Sequence, residues 1–351
     1  MSAHASDDRA SADRASAPVT LHDIAREAGV SLATASRVLN GSTRKVADSY
    51  RERVEAAADR LGYTANLSAQ ATAKGTSAVI ALLVADIADP YFGLLASGVV
   101  RGADEAGLIV TIGITGRDTD REIRTVRALR GQRPRGLILA SSRTSREIPV
   151  ELRQELDLVA AAGGRAVVLG RGSGAVRGVT IDNFGGAAEL GAALAGRGYR
   201  DAIVLASHEG VVTSDDRAAG FAEGFTGGGG AVPRVYRGEF TREAGIELMR
   251  QALADGVEPG TVVFGISDVV AIGALLALRE AGREVGGDVA LAGFDDIPTG
   301  QDVTPALTTV RVPLGDVGHQ AFLAATGEEW AQDDEALRLE VRLRDSTPPR
   351  G

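Results

Sequence analysis

After Gly75, short apolar runs alternate with helical patterns of ten or more residues, and this alternation occurs in two successive series. Apolar runs of this length, spaced by helical patterns, predict the buried strands of a parallel sheet. The runs lie at 78–85, 108–114, 136–140 and 166–169 in the first series, and at 179–181, 202–206, 262–264 and 289–292 in the second. We therefore expect two doubly wound α/β lobes in series, with residues 227–230 as a flexible loop.

The chain has 351 residues, enough for two or three packed units. It contains no cysteine, which excludes disulfides, zinc–thiolate sites and thiol nucleophiles and suits a reducing cytoplasm. It has no run of about 18 apolar residues, and its first 18 residues lack an apolar block behind their charges. We therefore expect a cytoplasmic protein that is neither exported nor held in a membrane.

The N-terminal part differs from the α/β region. Residues 1–18 are rich in Ala, Ser, Asp and Arg without any period, which predicts a disordered tail. Three short helical patterns then follow within residues 19–64. Thr20 and Asp23 have the spacing of a capping box at the start of the first helix. Gly29 ends that helix and Ser31 caps the next, which is the spacing of a helix-turn-helix.

The second of these helices carries the predicted reading surface. Ala35, Val38 and Leu39 are expected to face the core. The residues left near the outward, N-terminal side that enters a major groove are Leu32, Ala33, Ser36 and Arg37. The third helix has an apolar stripe at i, i+3, i+4 and i+7, formed by Val54, Ala57, Ala58 and Leu61. By geometry alone, such a three-helix module docks either on DNA or on a protein.

Charge does little to decide between these two partners. The net charge is −9, and residues 19–75 carry eight basic and six acidic side chains against 28 and 38 in residues 76–351. The helical region is therefore only slightly positive, so the case for DNA rests on the motif rather than on a basic patch.

The residues themselves favour DNA. The string VTLHDIAREAGVSLATASRVLNG at 19–41, with RERV at 51–54 and LGY at 61–63, closely resembles the headpiece of the lactose-repressor (LacI/GalR) family. The similarity continues through 89–92, 135–138, 217–221, 293–296 and 305–309, and so covers nearly all of the chain from Val19 to about Ser346. It implies a headpiece joined to a two-lobed sensor domain of the periplasmic-binding-protein type.

The resemblance assigns roles within the headpiece. It places Leu32, Ala33 and Arg37 at base-reading positions, and the phosphate-contacting positions are Ser31, Thr34, Ser36 and Asn40. Arginine pairs bidentately with guanine, whereas short hydroxyls and amides suit backbone oxygens. The implied DNA-binding set is completed by Thr20, Tyr63, Asn66, Ala69 and Thr72.

Residues 65–75 lie where the family has a short hinge helix that inserts a leucine into the minor groove. Thr72 stands at that wedge position, and threonine is smaller and polar, so we expect less kinking of the DNA. A plain flexible linker is the alternative.

The resemblance also implies an effector cleft in residues 76–351. Lobe 1 is predicted at about 76–177 and 309–336, and lobe 2 at about 178–308 and 337–351. Ligands of such folds bind at the carboxyl ends of the strands. The candidates there are Asp89, Tyr91, Phe92, Ser141, Ser142, Arg171, Val211, Thr213, Arg217, Phe240, Ser267, Asp268 and Asp295. Taken singly, most have a structural alternative in the core, in an ion pair or at a helix cap.

Aromatic faces with charged groups beside them suit a sugar or a nucleobase-like ligand. Gly170 and Ser267 stand where many sugar-binding relatives have an aspartate and an asparagine. Both differences remove hydroxyl-binding groups, so the prediction of a common hexose as the ligand is weaker than the prediction of the fold. We expect a homodimeric repressor that binds a palindromic DNA operator under the control of this small-molecule effector.

Other functional classes fit less well. A solute-binding transport protein shares the two-lobed fold, but it would need an export signal and has no use for a helix-turn-helix. Residues 170–174 and 265–269 miss the spacings of the dinucleotide-binding and nucleophile-elbow motifs, and the four histidines are scattered. We therefore predict no enzyme, metal or cofactor.

Overall fold

The computed structural model describes residues 19–39, 46–63, 77–141, 146–328, 330 and 337–350. The chain divides into two compact units, one up to Ala73 and one from Lys74 onward. The predicted tail at 1–18 and hinge at 65–75 lie outside the described residues.

The first unit consists of helices α1 (Leu21–Glu27), α2 (Leu32–Leu39) and α3 (Asp48–Leu61) around a small core. The predicted capping box is present, because the Thr20 hydroxyl accepts from the Asp23 backbone while the Asp23 carboxylate accepts from the Thr20 backbone at 3.0 Å. Gly29 then has a φ of 61°, which lets the chain turn without a side-chain clash. The core side chains are those predicted from the apolar stripes, with Ile24, Ala35 and Val54 fully buried.

In the second unit, lobe 1 holds a five-stranded parallel sheet of order β2-β1-β3-β4-β5. Its strands are β1 (Val79–Val84), β2 (Ile109–Ile114), β3 (Gly136–Leu139), β4 (Arg165–Leu169) and β5 (Arg177–Val179). The helices of this lobe are α4 (Pro90–Glu105), α5 (Thr119–Arg130), α6 (Val150–Ala161) and α12 (Leu314–Thr326). Helices α4 and α12 cover one face of the sheet, and α5 and α6 cover the other.

Lobe 2 holds a four-stranded parallel sheet of order β7-β6-β8-β9. Its strands are β6 (Asp201–Ser207), β7 (Ala231–Gly238), β8 (Val262–Gly265) and β9 (Ala290–Ala292). The helices are α7 (Asn183–Gly196) and α8 (Val212–Gly227) on one face, α9 (Arg242–Ala254) and α10 (Asp268–Glu280) on the other, and the short α11 (Thr299–Asp302). The expected fold of two doubly wound sheets is therefore confirmed.

Crossing segments connect the two lobes. Strands β10 (Thr309–Arg311) and β11 (Glu340–Arg342) form a separate antiparallel pair, and Ile181 forms a bridge with Leu337. The prediction that 179–181 opens the second lobe is wrong, since β5 pairs with β4 in the first sheet. A three-residue apolar run carries no information about which sheet it joins.

Two further details differ from the sequence reading. Strand β7 was not predicted, because its sequence AVPRVYRG mixes arginines and a proline into an edge strand. The expected loop at 227–230 shrinks to a turn, because Gly227 still belongs to α8 and the Gly230 backbone donates to the Phe225 carbonyl at 3.0 Å. No helix in the described part of the chain is long and apolar enough to cross a membrane.

Candidate functional site

Helix α2 has one exposed and one buried side, and the exposed side is the first candidate site. Leu32, Ala33 and Arg37 are exposed, whereas Ala35 and Val38 are buried against the other two helices. Arg37 has no ion-pair partner among the described residues. Within the described part of the helical unit, the exposed side of α2 therefore offers an arginine without an ion-pair partner beside two apolar groups.

The short polar residues around α2 are engaged locally. Ser31 accepts from the Thr34 backbone at 3.1 Å, and the two hydroxyls lie 2.8 Å apart. Ser36 is half-buried. These contacts fix the first turn of α2 and hold its backbone N–H groups toward the exposed end.

The remaining predicted DNA contacts differ in their surroundings. The Thr20 hydroxyl is part of the α1 cap and donates to the Asp23 carboxylate at 2.6 Å. The Tyr63 ring packs against the helical core. Asn40, Asn66, Ala69 and Thr72 lie outside the described residues. Arg53, which sequence reasoning missed, donates to the Gly29 carbonyl at 3.3 Å and so holds the turn between α1 and α2.

The second candidate site is a cavity of about 390 Å³ between the two lobes. Four of the predicted effector residues line it, namely Tyr91, Ser141, Arg171 and Thr213. The rest of the lining is Ala140, Arg146, Leu169, Gly170, Thr180, Ile181, Asn183, Val212 and Asp216. Most of these residues follow the carboxyl end of a strand or begin a helix, as expected for a doubly wound fold.

A buried ion pair stands close to this cavity. The Arg217 guanidinium donates to the Asp295 carboxylate, to the Asn183 amide oxygen and to the Ile266 carbonyl, each at 2.8 Å. It also lies 3.9 Å from the centroid of the Phe294 ring. Both charged side chains are almost fully buried, at 2% and 5% exposure. Burial raises the pKa of Asp295 to about 7, although the charge and hydrogen bond of Arg217 act against this shift.

Asp89 and Tyr91 open helix α4 on the lobe 1 side. Asp89 caps the helix by accepting from the Tyr91 backbone at 3.0 Å, and burial raises the pKa of its carboxyl group. The pKa of the Tyr91 hydroxyl is also raised, first by burial and then by the charge of Asp295. Tyr91 therefore presents a protonated hydroxyl and a ring to the cavity.

Phe240 from lobe 2 is covered by a residue from lobe 1. The Arg117 guanidinium lies 4.8 Å from the centroid of the Phe240 ring. Burial lowers the pKa of Arg117, while the charge of Asp89 acts in the opposite direction. The Nε atom of Arg117 is buried without a hydrogen-bond partner among the described residues. The ring face predicted to stack on a ligand is thus occupied by a cation.

The other predicted effector residues have structural surroundings. Phe92 and Val211 are buried in the core, and Ser267 caps α10 by accepting from the Val270 backbone. Asp268 is fully buried, and its carboxylate accepts from the Thr309 hydroxyl at 2.6 Å and the Ile297 backbone at 2.9 Å. These four residues are absent from the cavity lining, and Ser142 lies outside the described residues.

Sequence reasoning missed four polar residues of the cavity, namely Arg146, Thr180, Asn183 and Asp216. Arg146 precedes α6 in lobe 1 and forms an ion pair with Asp216 on α8 of lobe 2, 70 residues away. Asn183 starts α7 and holds Arg217 in place. The position of Asn183 just after the lobe crossing was the one available signal, whereas the ion pair becomes visible only when the lobes are assembled.

Two family models match the chain. Residues 20–66 match bacterial regulatory proteins of the lacI family, and residues 192–347 match the periplasmic binding protein-like domain. The HTH-type transcriptional repressor CytR of Escherichia coli (strain K12) is 30% identical over 334 residues, which cover 93% of this chain and 96% of CytR. The HTH-type transcriptional regulator GalS of Salmonella typhimurium (strain LT2) is 33% identical over 326 residues, which cover 92% of each chain.

Solved structures give the same grouping. The lac repressor dimer bound to operator and the anti-inducer ONPF matches with a TM-score of 0.78 at 26% identity, over 95% of this chain and 100% of that one. A complex of the transcriptional regulator CelR with cellobiose matches with a TM-score of 0.66 at 29% identity, over 93% of this chain and 99% of that one.

Proposed function

The chain belongs to the lacI family of bacterial regulatory proteins, and on this basis we propose that it is a cytoplasmic, DNA-binding transcriptional repressor. The observation that carries the proposal is the exposed side of α2, where Leu32 and Ala33 begin the helix after the Ser31 cap and Arg37 lies in its last turn. A helix of this kind enters the major groove with its first turns against the base edges.

In this proposal each of the three exposed residues contacts a different base. Arg37 pairs with the O6 and N7 atoms of a guanine, and the apolar Leu32 and Ala33 contact thymine methyl groups. Ser31 and Thr34 add hydroxyls at the start of α2 that approach phosphate oxygens. The proposed DNA-binding set also includes Asn40 and the hinge residues Asn66, Ala69 and Thr72.

The regulator acts as a homodimer on a two-fold symmetric operator, since the symmetry of the half-sites mirrors that of the protein. The solved relative that supports this assembly is the lac repressor dimer on its operator. Thr72 at the wedge position of the hinge gives a smaller kink than leucine would.

The interlobe cavity receives the effector, a carbohydrate or a nucleoside-like molecule. Tyr91 offers a ring and a hydroxyl, and Ser141, Asn183 and Thr213 offer neutral hydrogen-bonding groups. CelR, a relative of similar fold, is described in complex with cellobiose. Because Arg117 covers Phe240, we assign the ligand-stacking face to Tyr91. The ligand changes operator affinity by shifting the lobes, a coupling of about 1–3 kcal/mol in typical cases.

The DNA-reading proposal is tested by selecting bound sequences from random duplexes with the full-length chain. We expect one symmetric sequence to be recovered. Arg37→Ala should then lower affinity for it by about 1–3 kcal/mol and relax one base position in each half-site. Arg51→Ala removes the same charge from an exposed site on α3 and serves as the control. Unchanged preference in the Arg37 variant would refute the assignment.

The effector is sought by thermal shift with a panel of sugars, nucleosides and polyols, because a ligand of the folded state raises the melting temperature. A compound that stabilises the wild type should lose its effect in Thr213→Val, which keeps the volume of the side chain but removes its hydroxyl. If saturating ligand then leaves operator affinity unchanged, the proposed coupling between cavity and DNA fails.

A further inference from the structure

Lobe 1 has a concentration of arginines at the amino ends of its strands. They are Arg130 at the end of α5, Arg133 and Arg135 before β3, Arg165 at the start of β4 and Arg177 at the start of β5. This group, called the arginine edge below, stands out because residues 76–351 carry ten more acidic than basic side chains.

Backbone hydrogen bonds place these residues side by side. The Arg135 backbone donates to Val79 of β1 at 2.9 Å, and the Arg165 backbone donates to Arg135 at 3.1 Å. The Arg133 carbonyl accepts from both the backbone and the hydroxyl of Ser77, at 2.8 and 3.0 Å. The arginine edge therefore lies beside Ser77, the first described residue of the α/β unit.

Three of the five arginines have structural partners. Arg165 and Arg177 donate to carbonyls at the end of α12, including Thr326 at 3.3 Å and Ala324 at 2.7 Å. Arg130 shares the carboxylate of Glu155 with a second arginine of α5. Burial lowers the pKa of Arg177, and the charge of Arg165 lowers it further. The two positive charges therefore lie close enough to repel each other.

Arg133 and Arg135 are exposed, and their guanidinium groups form no ion pair or hydrogen bond with the described residues. Arg133 also has a φ of 49°, a conformation that costs energy for a side chain of this size. The carboxylates of Asp104 and Glu105 lie at the end of α4, which leads into β2, on the far side of β1 in the sheet order.

We propose that the arginine edge, through Arg133 and Arg135, contacts the phosphate backbone of the DNA that the helical unit binds. The inference rests on the proposed DNA-binding function and adds a second contact surface to it. Residues 64–76 join the described parts of the two units, and a chain of that length spans at most about 45 Å, which sets an upper limit on how far DNA held by the helical unit lies from Ser77. The helical region is nearly neutral, so phosphate contacts from elsewhere in the chain supply the electrostatic attraction that it lacks.

The salt dependence of binding tests this contact. Full-length Arg133→Gly/Arg135→Ala is compared with wild type on a labelled duplex of about 30 base pairs with mixed sequence, between about 50 and 200 mM NaCl. Glycine is chosen at 133 because it accepts the positive φ without strain. Each lost phosphate contact lowers the slope of log affinity against log salt by about 0.9, so we expect a reduction of about 1.8 per chain.

Three further variants make the outcome specific. Arg124→Ala/Arg338→Ala removes the same charge from exposed positions elsewhere on the unit and should leave the slope within a few tenths of wild type. Arg133→Lys/Arg135→Lys keeps the charge and should retain the wild-type slope. Arg135→Gln alone leaves the backbone at 133 untouched and should lower the slope by about 0.9.

The proposal is overturned if the double variant and Arg135→Gln both keep the slope of the charge-matched control. Such a result would leave the reading function intact, because selection on random duplexes still reports the sequence read by α2. Conversely, if the wild type binds no duplex at any salt concentration, the proposed function itself fails. In the expected case, the arginine-edge variant recovers the same sequence as wild type with lower affinity.

Discussion

The cap of helix α1 joins two residues that are close in sequence, whereas the buried ion pair beside the cleft joins residues that are far apart. Thr20 bonds to Asp23, three residues away, but Arg217 bonds to Asn183 and Asp295, 34 and 78 residues away. A local contact forms as soon as a helix starts. The distant contact between Arg217 and Asp295 forms only when the elements of lobe 2 have assembled, and it is then almost fully buried.

This difference in surroundings sets the expected energies. Removing a local cap at the surface leaves groups that water can still hydrate, so the loss is modest. Removing one partner of a buried ion pair leaves the other charge without water or a counter-ion, and the loss is several times larger. The four predictions below test whether burial or sequence distance decides the size of the effect.

Arg217→Ala should have the largest effect. It leaves Asp295 buried without its cation and removes the contact with Phe294. We expect the free energy of unfolding of the α/β unit to fall by about 3–5 kcal/mol, measured by urea denaturation of the full chain. Arg171→Ala removes an exposed cavity arginine and is the control. A loss below about 1 kcal/mol would show that Asp295 is neutral or hydrated when Arg217 is absent.

The pH dependence of stability should follow Asp295. Its carboxyl group titrates near 7 in the folded chain and near 3.9 when unfolded. Between these pH values the folded state binds more protons, so the free energy of unfolding falls as the pH rises from about 4 to about 7.

Asp295→Asn should remove up to about 4 kcal/mol of that fall, the equivalent of the shift in pKa. Asp89 and Asp268 also have raised pKa values, chiefly through burial. Because the charge of Asp295 adds to the shift of Asp268, the variant also removes that part of the fall. Urea denaturation at several pH values measures both slopes. Identical slopes would place the titrating group elsewhere.

Thr20→Ala tests the local side of the comparison. The substitution removes the hydroxyl that accepts from the Asp23 backbone, and we expect the helical unit to lose about 1 kcal/mol. The change is read from the unfolding of residues 19–63 within the full chain, followed by hydrogen exchange of the α1 amides. Thr20→Ser keeps the cap and should behave like the wild type. A loss as large as that of Arg217→Ala would contradict the role of burial.

The same distinction explains what the sequence could predict. The three helices, the cap and the buried side of α2 follow from signals within one or two turns, and the structure agrees with each of them. The two parallel sheets follow from the alternation of apolar runs and helices. Strand β5 was assigned to the wrong lobe and β7 was missed, because neither carries a local signal of its neighbours.

The cleft was predictable only in part. Tyr91 and Thr213 follow strands whose carboxyl ends meet, so their place in the cavity could be foreseen. Phe92 and Asp268 are just as near to strand ends but turn into the core. A shift of one residue along the chain decides whether a side chain after a strand end faces the cavity or the core. The sequence does not determine that shift. Arg146 was missed because its partner lies in the other lobe.

The ion pair between Arg146 and Asp216 separates the two explanations, because it joins distant residues but is largely open to water. The Arg146 side chain is 72% exposed, and that of Asp216 is 22% exposed. If sequence distance decided the energy, Arg146→Ala would cost as much as Arg217→Ala. Since exposed pairs contribute about 0–1 kcal/mol, we expect a loss in that range by urea denaturation, with salt reducing it further. A double-mutant cycle with Asp216→Ala isolates the pair energy, and a coupling above about 2 kcal/mol would show that distance outweighs exposure in this cleft.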